Sequence, residues 1–244
     1  MNLLERSLSL LLLFLCWQLL TTFLHSPLLP SPLAVGNVLV EQLQSGELLH
    51  HLFATLRRLF LSFALAMLLG SGLGIALGSL PRIDRWLDGW LTLLLNTPML
   101  VVAILCYLWL GLTEEAAVLA VVLNKLPLVA VTLREGTRAL DRELLQMARV
   151  YRLGLRRTLY HVVLPQLLPF FLTATRTGLA LIWKIILVVE LLGLGDGIGF
   201  QLHLFFQQFD VAAILAYTLA FAAVIQLIEW GVVQPLERRL LRWR

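Results

Sequence analysis

Long apolar runs separated by short polar turns are the feature that most constrains the fold of this chain. Six such runs cover residues 8–24, 56–80, 86–112, 116–133, 166–192 and 211–232. A helix needs about 20 predominantly apolar residues to cross the hydrocarbon core of a bilayer, and each run is close to that length. We therefore predict an all-α, polytopic membrane helix bundle with six transmembrane helices.

The composition supports lipid as the solvent of this fold. The chain is 59% hydrophobic and only 14% charged, whereas soluble domains average about 45–50% apolar and about 25% charged residues. So few charges could not cover the surface of a soluble protein of 27.5 kDa, but apolar side chains can face outward in lipid. We interpret the formal charge of +4 as a topology signal and expect no nucleic-acid partner.

Residues 1–50 are predicted to hold an N-terminal transmembrane helix and a periplasmic segment. The first run ends without a small-x-small cleavage site, so we expect it to be retained. Pro27, Pro30 and Pro32 forbid a continuous helix after it. Residues 34–51 are too polar to span a membrane and predict a short surface helix.

The distribution of arginine predicts the orientation of the spans. With six spans both termini lie on one side, together with Arg82, Arg85, the arginine-rich loop 134–165 and the basic tail 236–244. The positive-inside rule places that side in the cytoplasm. Arg57 and Arg58 contradict this pattern, because they fall near the outer end of the second span, and we expect them to snorkel to the interface.

A small-residue face marks the second span. Ala66, Gly70, Gly74 and Gly78 recur every four residues, which places them on one helix face where another helix can approach closely. Packing within the chain is the favoured interpretation, and a subunit interface is the alternative.

Polar residues interrupt several of the apolar runs. Asn96, Thr97 and Pro98 interrupt the third span, and residues 124–127, which include Lys125, interrupt the fourth. Polar groups at membrane depth usually face a cavity or a partner. The candidates to line a translocation path are Asn96, Thr97, Asn124, Lys125, Arg176 and Lys184. The alternative for Lys125 is a pairing within the bundle or a position nearer the cytoplasmic interface.

The charges of the fifth span do not share a helix face. At 100° per residue, Arg176, Lys184 and Glu190 point in different directions. We expect separate structural ion pairs here and no relay, with Glu190 anchoring the outer Gly-rich loop that follows it.

The cytoplasmic loop contains an amphipathic pattern. Leu140, Leu144, Met147, Ala148 and Tyr151 recur at helical spacing with charged residues between them. The apolar face of such a helix needs a partner, either the lipid surface or a groove on another protein.

This loop resembles the cytoplasmic signature of binding-protein-dependent ABC importer permeases. The family pattern is Glu-Ala-Ala, three residues, Gly, nine residues and Ile-x-Leu-Pro, and the spacing from Gln146 to Pro165 fits it. Gln146 and Met147 replace Glu-Ala, and Arg152 stands where the family has Gly. Residues 29–32, 45–48 and 188–193 resemble the nitrate/sulfonate/taurine branch, so that the resemblance covers nearly the whole chain.

The resemblance implies a type I ABC importer permease core in residues 51–235, and thus a transport subunit and not an enzyme. It implies a homodimer in a bacterial inner membrane, with two ATPase subunits below, a periplasmic solute-binding protein above and a small anion as solute. The residues implied to couple to the ATPase are Leu144, Gln146, Met147, Ala148, Tyr151, Arg152, Leu164 and Pro165.

Several chemistries are missing from the sequence itself. It contains no G-x-x-x-x-G-K-[ST] phosphate loop, so we expect no cofactor on this chain and assign ATP and Mg to the partner subunit. No catalytic triad and no zinc-ligand spacing occurs, and no metal site is predicted. The rival interpretations are a stand-alone anion transporter or channel that uses Lys125, Arg176 and Lys184, and a membrane scaffold that transports nothing.

Overall fold

The computed structural model describes residues 3–24, 26 and 28–235, and these are helical apart from short turns. The helices are α1 (Leu3–Leu24), α2 (Pro32–Gln44), α3 (Glu47–Ser79), α4 (Pro81–Asn96), α5 (Met99–Leu110), α6 (Glu114–Arg138), α7 (Arg142–Val150), α8 (Leu155–Thr158), α9 (Leu164–Gly193), α10 (Ile198–Gln207) and α11 (Val211–Ile228). Two π-helical turns, Leu159–Val163 and Glu229–Val233, precede α9 and follow α11. The predicted basic tail 236–244 lies outside the described residues.

Four helical segments of the described chain are long and apolar enough to cross a membrane: Glu47–Ser79, Glu114–Arg138, Leu155–Gly193 and Val211–Gly231. Helices α4 and α5 qualify only together, as a pair bent by 99°. The apolar part of α1, Leu11–Leu24, is shorter. The six spans expected from the sequence therefore require the bent pair and α1 to count as one span each.

Helices α3 and α6 share the most extensive contact among the described helices, and the small-residue face of α3 lets them approach closely. A Cβ added at Gly70 would lie 2.7 Å from the Cβ of Val129, and one at Gly74 would collide with the carbonyl oxygen of Ala130. A Cβ at Gly78 would collide with Thr137. This confirms the prediction that the glycine face packs within the chain.

The third span breaks where the sequence predicts it, between Asn96 and Met99. Pro98 cannot donate a backbone hydrogen bond, and the residue before a proline is pushed towards extended backbone. Thr97 accordingly has φ −73° and ψ 125°.

At the other end of α4, Asp84 pairs with Arg138 and, at 3.0 Å, with Arg134 of α6.

The expected interruption of the fourth span is wrong. Helix α6 runs without a break from Glu114 to Arg138, with Asn124, Lys125 and Pro127 inside it. A membrane helix tolerates proline because neighbouring helices accommodate the freed backbone groups. Pro127 is buried in the bundle, so packing against neighbouring helices keeps α6 continuous at this proline.

The polar segment 34–51 divides between two helices. Helix α2 begins after Ser31, whose hydroxyl accepts a hydrogen bond from the backbone N–H of Ala34 at 3.2 Å. Gly46 then adopts φ +82° and allows the chain to turn into α3. Helix α3 has 33 residues and is about 50 Å long, longer than the roughly 30 Å hydrocarbon core.

Candidate functional site

Helix α7, which lies in the loop 134–165, is fixed at its start by side-chain hydrogen bonds. The carboxylate of Asp141 accepts from the backbone N–H groups of Glu143 at 2.7 Å and Leu144 at 3.4 Å, which is an N-cap arrangement. The side-chain carbonyl of Gln166 accepts from the N–H of Asp141 at 2.8 Å, and its amide donates to the carbonyl of Val162 at 2.8 Å. Gln166 therefore connects α7 to the beginning of α9, a role that the sequence did not indicate.

The outward side of this loop is apolar and uncovered. Its exposed residues, which we call the docking surface, are Leu144 (39%), Met147 (44%), Val150 (79%), Tyr151 (74%) and Leu155 (81%). Leu144 and Met147 also line an open cavity of about 570 Å³ beside His161 and Phe170. Large apolar side chains that are exposed together in a loop between predicted membrane spans indicate an interaction site.

Ala148 does not belong to the docking surface. It is 1% exposed, and α7 packs against the π-helical turn Leu159–Val163 of its own chain. The carbonyl of Ala148 accepts a hydrogen bond from the N–H of Leu153 at 2.9 Å. The sequence-based expectation that Ala148 meets the ATPase is wrong in this structure, because the chain itself already covers that face of α7.

The remaining predicted coupling residues lie around the same loop. Gln146 and Arg152 are exposed, Leu164 is 49% exposed and Pro165 is partly buried. Arg152 has φ +49°, in the left-handed region that glycine adopts without a Cβ penalty. The glycine of the family pattern thus suits the backbone at this position, and Arg152 occupies the same conformation at a cost.

A buried ionic cluster joins α3, α9 and the loop after α9 at the opposite end of the bundle. Arg58 is 2% exposed and Glu190 is 0% exposed. Arg58 donates to the carboxylate of Glu190 at 2.8 Å and also pairs with Asp196. Glu190 further accepts from the hydroxyl of Thr55 at 2.8 Å and from the N–H of Gly199 at 3.0 Å. We call these five residues the outer clamp.

The outer clamp fixes the Gly-rich loop, as the sequence predicts for Glu190. The N–H of Ile198 donates to the hydroxyl of Thr55 at 2.8 Å, and that of Gly197 donates to Nδ1 of His51 at 3.1 Å. Gly197 has φ +107°, a conformation that favours glycine. The cluster satisfies a buried carboxylate with three donors, which is the arrangement that buried charge requires.

The expectation that Arg58 snorkels to the interface is wrong, because its guanidinium is held inside the protein by the outer clamp. Its neighbour Arg57 is exposed and pairs with Glu114 at the start of α6. Both arginines therefore have acidic partners at this end of the bundle. The positive-inside rule counts Lys and Arg residues and not net charge, so the two arginines still count against the predicted orientation.

The predicted path residues belong to three helices, α4, α6 and α9, with Thr97 at the C-terminal cap of α4. Asn96 and Thr97 donate to carbonyls of their own helix, those of Thr92 and Leu93, at 2.8 Å each. Asn124 is half-buried in α6, and Arg176 is exposed on α9. Lys125 is 4% exposed, and its side chain makes no hydrogen bond or ion pair with another described residue.

Lys184 lies on α9 like Glu190, but its side chain is not held by an ion pair to a described residue. It is exposed, and its Nζ lies 5.3 Å from the centre of the Trp183 ring. Lys184 lines a cavity between α9 and α11 together with Gln226 and Glu229, a grouping that the sequence did not indicate. The expected structural ion pair is present for Glu190, whereas Lys184 has none within the described part of the chain.

Comparison with known proteins identifies the family. Residues 66–234 match the family described as binding-protein-dependent transport system inner membrane component. The chain is 32% identical over 230 residues to the putative aliphatic sulfonates transport permease protein of Bacillus subtilis, covering 93% of this chain and 83% of that protein. It is 30% identical over 233 residues to the taurine transport system permease protein of Escherichia coli, covering 93% and 84%.

Solved structures agree on the fold. A chain of the MetNI methionine ABC transporter in an inward-facing conformation aligns with a TM-score of 0.69 at 14% identity, over 81% of this chain and 97% of that one. A chain of an amino acid ABC transporter aligns with a TM-score of 0.59 at 21% identity, over 80% and 98%. The chain described here belongs to the binding-protein-dependent transport system inner membrane components, and it is a multi-pass permease subunit of an ABC importer.

Proposed function

We propose that two copies of this permease form the path for a small organic anion of the sulfonate type. Two ABC ATPase subunits, which hold ATP and Mg, bind at the docking surfaces, and a periplasmic solute-binding protein delivers the solute to the outer face. Both termini and the loop 134–165 lie in the cytoplasm, and this chain itself binds no cofactor.

The solute class is supported by the relatives and by the charges of the chain. Relatives at 30–32% identity are named for aliphatic sulfonates and taurine. Lys184 lies inside the membrane-spanning helix α9 and is exposed there, where a cation is costly unless it serves a partner or a path. Sulfonate is a permanent anion, and a lysine in a path is a fitting counter-charge for it.

The ATPase partner is supported chiefly by the docking surface. A cytoplasmic helix that exposes Met147, Val150 and Tyr151 needs a covering partner. The sequence contains no phosphate-binding loop, so the proposal assigns ATP hydrolysis to the partner subunit. The docking surface is the single observation that carries this part of the proposal.

Helix α9 offers a mechanical connection between the two faces of the membrane. It has 30 residues and is thus about 45 Å long. Its cytoplasmic end is joined to α7 through Gln166, and its outer end carries Glu190 of the outer clamp. Movement of α7 on ATP binding would therefore tilt α9 and shift the outer loop. In this scheme the ATPase shifts the population between inward-open and outward-open states, because it binds one of them more tightly.

The test of ATPase binding is Met147→Arg. Met147 is 44% exposed, so the arginine can extend into water in the free permease and leave the fold intact. At an apolar interface the same charge should weaken ATPase binding by about 30-fold or more. Co-purification of the ATPase with the membrane-inserted variant measures this. Gln208→Arg, which adds the same charge to an exposed position between α10 and α11, serves as the control.

A lipid-facing helix gives the opposite result. Anionic headgroups would attract the new arginine, and ATPase retention would be unchanged. A Met147→Arg permease that keeps its ATPase would therefore contradict the docking surface, and a chain that never retains an ATPase would support the stand-alone transporter.

A further inference from the structure

Lys184 is a cation at membrane depth that is not buried by its own chain. It precedes the end of α9 at Gly193 by nine residues, which places it roughly 13 Å below the outer end of the helix. This is close to the middle of a hydrocarbon core about 30 Å thick. An exposed ammonium at that depth cannot face lipid without a large cost, so this side of α9 has to face water or another protein.

The surface around Lys184 is concave. A cavity of about 300 Å³ lies between α9 and α11, with Leu59 of α3 in its wall. This volume is at the lower end of the range of about 300–1,000 Å³ that is usual for small-ligand pockets. Its polar lining residues are Lys184, Gln226 and Glu229, and Trp183 contributes an aromatic wall.

The two charges of the cavity do not neutralise each other. Neither the side chain of Lys184 nor that of Glu229 makes a hydrogen bond or an ion pair with any residue in the described part of the chain. Glu229 begins a π-helical turn, Glu229–Val233, and such turns occur frequently at functional sites. A cavity that presents an unpaired ammonium and an unpaired carboxylate is suited to a solute that carries both charges.

We propose that this cavity is a solute site on the translocation path and that it fits a small amino-sulfonate. Lys184 faces the anionic head group, Glu229 faces the amino group, and Trp183 packs against the carbon chain. The proposal rests on the proposed function and adds to it the site and the preferred charge pattern of the solute. A single cation in an open cavity holds its solute weakly, which suits a path where the solute has to leave again.

The accessibility of Lys184 to water can be measured directly, because the chain has only one other lysine to compare it with. Lys125 and Lys184 are its two lysines, and Lys125 is 4% exposed. Membrane fragments with both faces open, containing the permease with its ATPase, are treated with a water-soluble amine-acetylating reagent. We expect Lys184 to be acetylated about tenfold faster than Lys125, as quantified by peptide mass spectrometry. Lysines of the ATPase report that the reagent is active.

Added solutes then test the site. The rate is expressed relative to the lysines of the ATPase, because the amino groups of taurine and ethanolamine also consume the reagent. On this scale taurine should slow acetylation of Lys184 about threefold or more, ethanesulfonate should slow it less, and ethanolamine should not slow it. In Glu229→Gln the advantage of taurine over ethanesulfonate should disappear. Lys184→Gln should lower the maximal rate of ATP-dependent taurine uptake about tenfold, whereas Lys184→Arg, which keeps the charge, should retain most of it.

The outcomes separate the site from the function on which it rests. If Lys184 reacts no faster than Lys125, or reacts without protection by taurine while the wild type takes taurine up, the cavity is not a solute site and the permease function stands. If the wild-type complex takes up neither taurine nor ethanesulfonate with ATP, the proposed sulfonate transport fails, and the solute site fails with it.

Discussion

Removing the positive charge of the outer clamp should cost more than removing its negative charge. Arg58→Met leaves the carboxylate of Glu190, which is 0% exposed, without its counter-ion. Breaking a buried ion pair from one side costs about 3–5 kcal/mol. Glu190→Gln is milder, because Arg58 retains Asp196 and the new amide oxygen can still accept from Thr55 or Gly199. A loss of about 1–3 kcal/mol is expected for it.

The double variant is the decisive comparison. In Arg58→Met/Glu190→Gln no buried charge is left unpaired, so adding Glu190→Gln should restore stability to the Arg58→Met background. Two contacting residues are expected to show such non-additivity. The free energy of unfolding is measured for all variants by circular dichroism in mixed micelles with an increasing fraction of SDS.

Arg57→Met is the matched control, since it removes the neighbouring arginine, whose side chain is 54% exposed and pairs with Glu114. It should cost less than about 1 kcal/mol, as surface ion pairs usually do. Equal losses for Arg57→Met and Arg58→Met, or strictly additive losses in the double variant, would refute the assignment of a buried, charge-compensated cluster.

Two further predictions concern backbone positions. Gly74→Leu should lower the free energy of unfolding by about 1–3 kcal/mol, because its Cβ would collide with the carbonyl of Ala130. Gly72→Leu, whose Cβ would have nothing within 4 Å, should accumulate in the membrane like the wild type. Equal membrane levels of the two variants would contradict the α3–α6 contact. Arg152→Gly should stabilise the turn after α7 by about 1 kcal/mol, because Arg152 has φ +49°. Hydrogen exchange of the α7 amides should therefore slow in this variant. Unchanged or faster exchange would contradict strain at this position.

Periodicity predicted the parts of the fold that depend on local chemistry. The i, i+4 glycine face of α3 and the break at Pro98 follow from helix geometry and from the missing N–H of proline. The same reasoning failed at Pro127, which lies in an unbroken helix. The difference depends on what packs around each proline, and a single sequence does not contain that information.

For the charged residues, too, the sequence predicted local relations but not contacts between distant parts of the chain. Glu190 could be assigned to the outer loop because it precedes that loop in the chain. Its partner Arg58 lies 132 residues away, and a sequence read for topology treats Arg58 as an exception. Ala148 was misplaced for a related reason, since an apolar helix face has an inner and an outer part, and only tertiary packing separates them. The cavity with Lys184 and Glu229 requires two spans whose register the sequence does not fix.

Uptake by proteoliposomes tests the central claim most directly. The permease is reconstituted with its ATPase and solute-binding protein, and accumulation of labelled taurine and of a labelled alkanesulfonate is followed with and without ATP. The account predicts uptake of at least one of these solutes that requires all three components and ATP, and that is lost when Met147→Arg replaces the wild-type permease. Uptake that proceeds without the ATPase, or that Met147→Arg leaves unchanged, would contradict it.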